Sequence, residues 1–274
     1  MVHSTTGNLI VSVATPGYLE YYLPMIGSAI VKGEWKGDFC LIVNEDIESD
    51  LLRKLEKHNV YVFKVEKLPE NPTIHWYKMY LMDEYFKKWE WILYCDLDVL
   101  FLNRIELDLS NKDKKTLYTK TDDLPFMEHF LEETLSEEQT IEKKRVLEQY
   151  GNGKALQTCF LLYHSSIIDE KFFEKLKSAY KHYYLKHSIC RQPYWDQTIY
   201  NIVFYNRWKD LGDRWIHGLK YMHDINWDWK KLDIPYIDNN DYDNVIGLHT
   251  FHFCAPWKET NIRFNRIWRQ YMNI

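Results

Sequence analysis

Short apolar runs alternate with amphipathic stretches along the first hundred residues. Residues 9–14 (LIVSVA) form an apolar run closed by Thr15-Pro16-Gly17, and the YLEYYLPMIGSAIVKG that follows carries apolar residues at helical spacing. This predicts a strand, a turn and a helix. DFCLIVNE then predicts a buried strand, SDLLRKLEKHN an amphipathic helix opened by a Ser or Asp cap, and VYVFKVE a third strand. A helix over IHWYKMYLMDEYFKKW and a fourth strand, WILYC, complete the series, and that strand runs directly into Asp96-Leu97-Asp98. Alternation of this kind is the mark of an α/β fold, a mostly parallel sheet covered by helices on both faces, with ligands at the carboxyl ends of the strands.

After residue 110 the texture changes. Residues 111–154 are dense in charge, with a helix stopped by Gly151 and Gly153, and this predicts an insertion over the sheet edge. ALQTCFLLYHS resumes as a strand, helical stretches follow around 167–187 and 195–207, and GLHTFHF is a late strand. The last helix sets Phe264, Ile267, Trp268 and Tyr271 at i, i+3, i+4, i+7 spacing, with Arg263, Arg266 and Arg269 on a basic face. The stripe is expected to close the core; contact with anionic lipid is the alternative. No repeat or linker interrupts the chain, so residues 1–274 are read as one domain, with a nucleotide-binding half over 1–110 and a more irregular half over 111–274.

Composition narrows the partners. With 46% hydrophobic and 27% charged residues among 274, disorder and low complexity are excluded. Lys+Arg 35 against Asp+Glu 40 leaves a net charge of -5, which gives no global attraction for nucleic acid. The start lacks a basic segment followed by a long apolar stretch, and no run approaches the roughly 18 apolar residues of a membrane span, so a soluble, cytoplasmic protein is expected. The five cysteines are scattered and odd in number, as free thiols in a reducing compartment would be. The 11 Trp and 21 Tyr suit sugar faces and ordinary cores alike.

Three segments carry candidate chemistry. Asp96 and Asp98 follow an apolar strand two residues apart, so in an extended chain both carboxylates point to one side, and two clustered anions call for a hard cation such as Mn2+ or Mg2+. The alternative is a solvated strand end. Late in the chain, His249 and His252 precede Lys258; an imidazole can complete a metal shell while an ammonium neutralises a phosphate oxygen. Between them lies Trp195-Asp196-Gln197, where Asp196 would otherwise simply cap a helix.

Taken in order, these segments resemble the retaining glycosyltransferases of family 8, which have the GT-A fold, use nucleotide sugars and need Mn2+. ILYCDLDVLFLNRIELDL resembles the family's D-x-D segment. Lys78, 18 residues before Asp96, falls near a basic residue, usually Arg, that contacts the donor in the family. Asp196, Gln197, Asn201 and Phe204 reproduce D-Q-x-x-x-N-x-x-F, and His252 and Lys258 match H-x-x-G-x-x-K with Ala255 in the place of the Gly. Gln157-Thr158-Cys159 occupies the place of Asn-Ala-Gly, which faces the transferred sugar, and Tyr18 keeps a stacking ring for the base where the family's acidic residues are missing.

The resemblance implies a GT-A domain with an acceptor-binding second half. It implies Asp96, Asp98 and His252 as metal ligands, and Ala14, Tyr18, Lys78, Asp96, Gln157 and Lys258 as donor-binding residues. Gln197 and Asp196 would face the oxocarbenium-like centre, and Lys258 would stabilise the leaving diphosphate. The implied donor is a UDP-hexose, UDP-glucose or UDP-galactose, and the acceptor a saccharide or glycoconjugate hydroxyl. Two other readings compete: a haloacid dehalogenase-type phosphatase or phosphotransferase, from the strand followed by Asp-Leu-Asp-Val, and a non-catalytic sugar-binding protein using aromatics near Tyr194, Trp195, Trp227 and Trp229.

Overall fold

The first apolar run folds as β1 (Asn8–Ala14), followed by α1 (Tyr22–Val31), β2 (Asp38–Val43), α2 (Ser49–Lys57) and β3 (Val60–Lys64). The computed structural model describes residues 7–14, 22–68, 74–97, 99–101, 103–192, 194–212, 217–218 and 250–252. β4 (Trp91–Cys95) and β5 (Val99–Phe101) flank the D-x-D segment, and β6 (Leu117–Thr119), β7 (Thr121–Phe126), α3 (Glu137–Tyr150), β8 (Lys154–Leu156) and β9 (Phe160–His164) follow. α4 (Glu170–Ala179), α5 (Trp195–Val203), β10 (Trp208–Asp210), β11 (His217–Gly218) and β12 (Thr250–His252) complete the described elements.

Seven strands form the central sheet in the order β10-β6-β9-β4-β1-β2-β3. β3, β2, β1 and β4 run parallel, and β9 is antiparallel to both β4 and β6. The sheet is mixed and mostly parallel, as the alternation predicts. Successive residues of a strand point to opposite faces, and here both faces are covered. Ile10, Leu41 and Leu93 pack with Met25, Ile26 and Ala29 of α1 and with Leu55 of α2. Leu9, Val11, Ile42, Ile92 and Tyr94 pack on the other side with Trp76, Tyr77, Phe86, Leu176 and Tyr200. Full burial of such a side chain contributes about 1.5–3 kcal/mol, which is why these strands are continuous apolar strings.

The structure revises several sequence expectations. The single helix expected over IHWYKMYLMDEYFKKW is two 3-10 segments, Ile74–Met82 and Glu84–Lys88. Asp83 separates them: its backbone is extended and its side chain accepts from Tyr85 N–H at 2.8 Å. α2 is preceded by Glu48, which makes no side-chain cap, so Ser49 and Asp50 lie inside the first turn; there Asp50 pairs with Arg53. Residues 111–154 are more than an insertion, because β6 joins the central sheet beside β9 and β10. α3 does sit where the sequence places a helix, opened by a capping box between Ser136 and Gln139.

The strand expected over ALQTCFLLYHS is divided into β8 and β9 at Gln157-Thr158-Cys159. The helix expected over 167–187 is α4 continued by a π-helix, Tyr180–Lys186. α5 stops at Val203, and Asn206 turns the chain with φ of 57°, in the left-handed region that Asn tolerates better than most residues. The C-terminal helix expected from Phe264 to Tyr271 lies outside the described residues. Among the described residues, no helix is long and apolar enough to cross a membrane.

Candidate active site

Strand order reverses at β1, which has β2 on one side and β4 on the other. In a sheet of this type a reversal opens a crevice at the carboxyl ends of the strands. Ala14 closes β1 there, buried and in register with Val43. Asp96 follows the last residue of β4. Ser12 Oγ donates to the carbonyl of Cys95 at 2.6 Å, fastening β1 to β4 just before Asp96, and Asp96 N–H donates to the carbonyl of Cys159 at 2.9 Å.

The buried centre of the site is Lys78. Its Nζ lies 3.0 Å from Asp96 Oδ1 and 2.9 Å from Asp196 Oδ2, and it donates to the carbonyl of Thr158 at 3.3 Å. The side chains of Lys78 and Asp196 are only 5% and 6% exposed, against 23% for Asp96. Thr158 Oγ1 donates to Asp196 Oδ2 at 2.7 Å, and Tyr94 O–H donates to Asp96 Oδ1. Burial alone would lower the pKa of Lys78, but the Asp196 and Asp96 carboxylates outweigh it and hold the ammonium well above its ordinary value. Burial, then the Asp96 charge, push the Tyr94 phenol up, so it remains a donor. Two carboxylates thus share one ammonium, and Asp96 is the member of the cluster open to solvent.

Around this centre α5 docks on the split between β8 and β9. Gln197 Nε2 donates to Asp122 Oδ2 at 2.8 Å. Asn201 accepts from Leu156 N–H at 2.8 Å and donates to its carbonyl at 3.1 Å, while Tyr200 O–H donates to the carbonyl of Lys78 at 2.8 Å. Gln157 is held by its backbone, donating to the Lys120 carbonyl at 2.9 Å and accepting from Thr119 Oγ1 at 2.7 Å. Phe204 is core: it stacks on Phe172 with ring centroids 5.1 Å apart. The described rings proposed for sugar binding are partly buried and pack on the core, Tyr194 against Phe130 and Trp195 against Tyr184.

The late segment also reaches this end of the sheet. β12 pairs antiparallel with β5, setting Phe251 opposite Leu100 and His252 opposite Val99, the residue after Asp98. By residue type alone, two carboxylates and an imidazole are a donor set suited to a Mn2+-class ion. The side chains of Asp98 and His252, and all of Tyr18, Lys258, Trp227 and Trp229, lie outside the described residues.

Sequence reasoning singled out Lys78, Asp96, Asp196, Gln157 and Gln197, and the first three are joined directly. It missed Tyr94, Thr158 as a ligand of Lys78, and Asp122. Tyr94 had a signal, since it precedes Asp96 by two residues and so shares its side of an extended strand. Asp122 had none, because its partner Gln197 is distant in the chain.

The fold is that of solved glycosyltransferases of GT-A type. The galactosyltransferase LgtC, solved in complex with donor and acceptor sugar analogs, matches with a TM-score of 0.67 over 97% of this chain and 95% of its own, at 16% identity. The bifunctional glycosyltransferase WbbM in its apo form matches at 0.66 and 14% identity, over 99% of this chain and 50% of WbbM. The apo form of the glycosyltransferase GlyE of Streptococcus pneumoniae TIGR4 gives 0.61 at 16% identity, covering 97% of this chain and 60% of GlyE. The chain therefore spans about half of WbbM and nearly all of LgtC. No protein-family model and no curated protein matches its sequence. At such identities the likeness speaks for the fold.

Proposed function

We propose that the chain is a metal-dependent, retaining glycosyltransferase of the family 8 kind. It would move a hexose from UDP-glucose or UDP-galactose to a hydroxyl of a saccharide or glycoconjugate. The observation that carries this reading is the placement of Asp96 at the strand-order reversal, tied through Lys78 to Asp196, with β12 paired beside the D-x-D segment. The phosphatase reading has no comparable support, since its nucleophile motif opens the domain and here three parallel strands precede β4, the strand that leads into Asp96. The buried free thiols of Cys40, Cys95, Cys159 and Cys190 accord with a cytoplasmic setting.

A Mn2+ or Mg2+ ion held by Asp96, Asp98 and His252 would supply Lewis-acid stabilisation of the diphosphate as it departs. Lys258 would add a point charge to the same oxygens. Lys78 fixes Asp96 from behind, so that carboxylate is held in place before donor arrives. Gln197 stands one residue from Asp196 on the first turn of α5, and is the group assigned to the transferred sugar; an active-site glutamine is also the residue replaced in a solved LgtC mutant. Tyr18 would stack on the uracil, and Ala14 and Gln157 would line the donor.

Calorimetry of UDP with Mn2+ tests this on the wild-type chain and on Asp98→Asn. Binding is expected to require the metal and to be lost or strongly weakened in the variant. Unchanged affinity in the variant, or in excess chelator, would count against the whole assignment.

A further inference from the structure

A second cluster of metal-ligating side chains lies on α3 and the π-helix, outside the candidate active site. Glu142, His182 and His187 bring one ligand atom each to within 4.8 Å of one another. Glu142 and His187 are buried, with side chains 7% and 8% exposed, while His182 is 43% exposed and borders solvent. His182 Nε2 is 2.8 Å from Glu142 Oε1, and Arg145 Nη1 is 3.1 Å from Glu142 Oε2.

The local backbone explains how the histidines meet. They are five residues apart, and an α-helix would turn such a pair about 140° from each other. Here the chain is π-helical from Tyr180 to Lys186, and His187 N–H donates to the carbonyl of His182 at 3.1 Å, the five-residue bond of that helix. The wider turn sets the two rings on one side, with centroids 4.6 Å apart. Such turns cost regular hydrogen bonding and recur at functional sites. The carboxylate comes from the facing α3, whose Gln139 donates to the carbonyl of His187 at 2.9 Å and so ties the two elements together.

We infer that Glu142, His182 and His187 form a binding site for a Zn2+-class ion, separate from the candidate active site. Two imidazoles and one carboxylate are a donor set that favours Zn2+ over Mg2+ or Ca2+, which prefer all-oxygen shells. Tetrahedral zinc with bonds of about 2.0–2.1 Å needs ligand atoms about 3.3 Å apart. The Glu142 and His182 atoms are already closer than that, and a rotation of half-exposed His182 accommodates the ion. A water takes the fourth position, with Glu138 Oε1 3.7 Å from His187 Nδ1 as a neighbouring acceptor. The alternative is a hydrogen-bonded His182–Glu142 pair with no ion.

Titration of Zn2+ into the chelator-treated full chain separates the two. A Zn2+ equivalent that persists in Asp96→Asn, and so does not belong to the candidate active site, is expected, and its affinity should fall by about 100-fold or more in His182→Ala/His187→Ala. Glu142→Gln keeps the shape and a hydrogen bond but removes the anionic ligand, and should lose at least the roughly 10- to 100-fold that loss of a mere outer-shell partner costs a metal site. Bound Co2+ is expected to show the visible absorption of a four-coordinate ion in wild type. Absence of Zn2+ binding in wild type, its loss in Asp96→Asn, or wild-type affinity in the double variant would overturn the site. Should the buried His187 change prevent folding, His182→Ala alone decides, and unchanged affinity there would overturn it.

Discussion

Lys78 occupies a position where an unpaired ammonium could not persist, since desolvation of one ion costs several kcal/mol. It persists because Asp96 and Asp196 both lie within 3.0 Å and the Thr158 carbonyl takes another donor. Removing only the ammonium leaves Asp196 buried as an anion among Thr158, Tyr200 and Ile199. Lys78→Met is therefore expected to destabilise the fold by about 3–5 kcal/mol, the cost of breaking a buried pair from one side. Adding Asp196→Asn should recover part of that loss. Urea unfolding of the two single variants and the double variant measures it, and simple additivity would show that the pair is not coupled. A second expectation concerns Gln197, whose amide donates to Asp122. Gln197→Glu sets two carboxylates against each other and should lower turnover of the donor by about 10²- to 10³-fold, the scale on which loss of one positioned polar group acts. Steady-state release of nucleoside diphosphate reports it, and wild-type kcat in the folded variant would remove Gln197 from the site.

At the level of elements, one of the side chains that tie α5 to β8 imitates a strand. Asn201 exchanges two hydrogen bonds with the backbone of Leu156, at 2.8 and 3.1 Å, and gives a third to the carbonyl of Gln197. An amide offers both a donor and an acceptor, so no isosteric residue serves both groups. Asn201→Leu should lose both bonds to Leu156, at about 1–3 kcal/mol for each buried group left unsatisfied. Asn201→Asp should keep the Leu156 N–H bond but set a buried carboxylate against the carbonyls of Leu156 and Gln197, and so cost more. Thermal and urea unfolding rank the variants, and equal stability of the two would refute the dual role. The parallel half of the molecule was legible in the sequence because LIVSVA, DFCLIV and WILYC are buried on both faces and so are unbroken apolar strings. β6 escaped notice because its three residues lie in charged surroundings, too short for a period to show. Asp96 could be named from residue type and spacing, and Lys78 only through the family resemblance; the bond between them, and the bridge to Asp196, are products of the sheet order. The split at Thr158 was hidden because Gln, Thr and Cys do not break an apolar run as Gly or Pro would.

For the molecule as a whole, the shifted carboxylates act in one direction. Glu90, Asp108, Asp113, Glu142 and Asp210 all have lowered pKa values. A depressed carboxylate contributes stability above its unfolded pKa, near 4, and that stability is lost as pH falls through the folded value. His164 should make the decline begin earlier. It is buried at the end of β9, edge-on to the Trp91 ring, and its Nδ1 accepts from Ser166 N–H at 3.0 Å, so that nitrogen must be unprotonated. Burial and the Lys114 charge lower its pKa; Glu90 opposes them, with its Oε1 3.6 Å from Nε2, too far for a hydrogen bond. The unfolded chain, with an ordinary histidine near 6.5, therefore takes up a proton before the folded chain does. Stability from this group is complete above about 6.5 and declines as pH falls from there toward the lower folded value. His164→Asn keeps an acceptor for Ser166 N–H and removes the titration. Urea unfolding across this range is expected to show a loss in wild type that begins below about 6.5, and in His164→Asn a loss confined to the carboxylate range. An identical pH slope in the two proteins would show that His164 is not the group responsible.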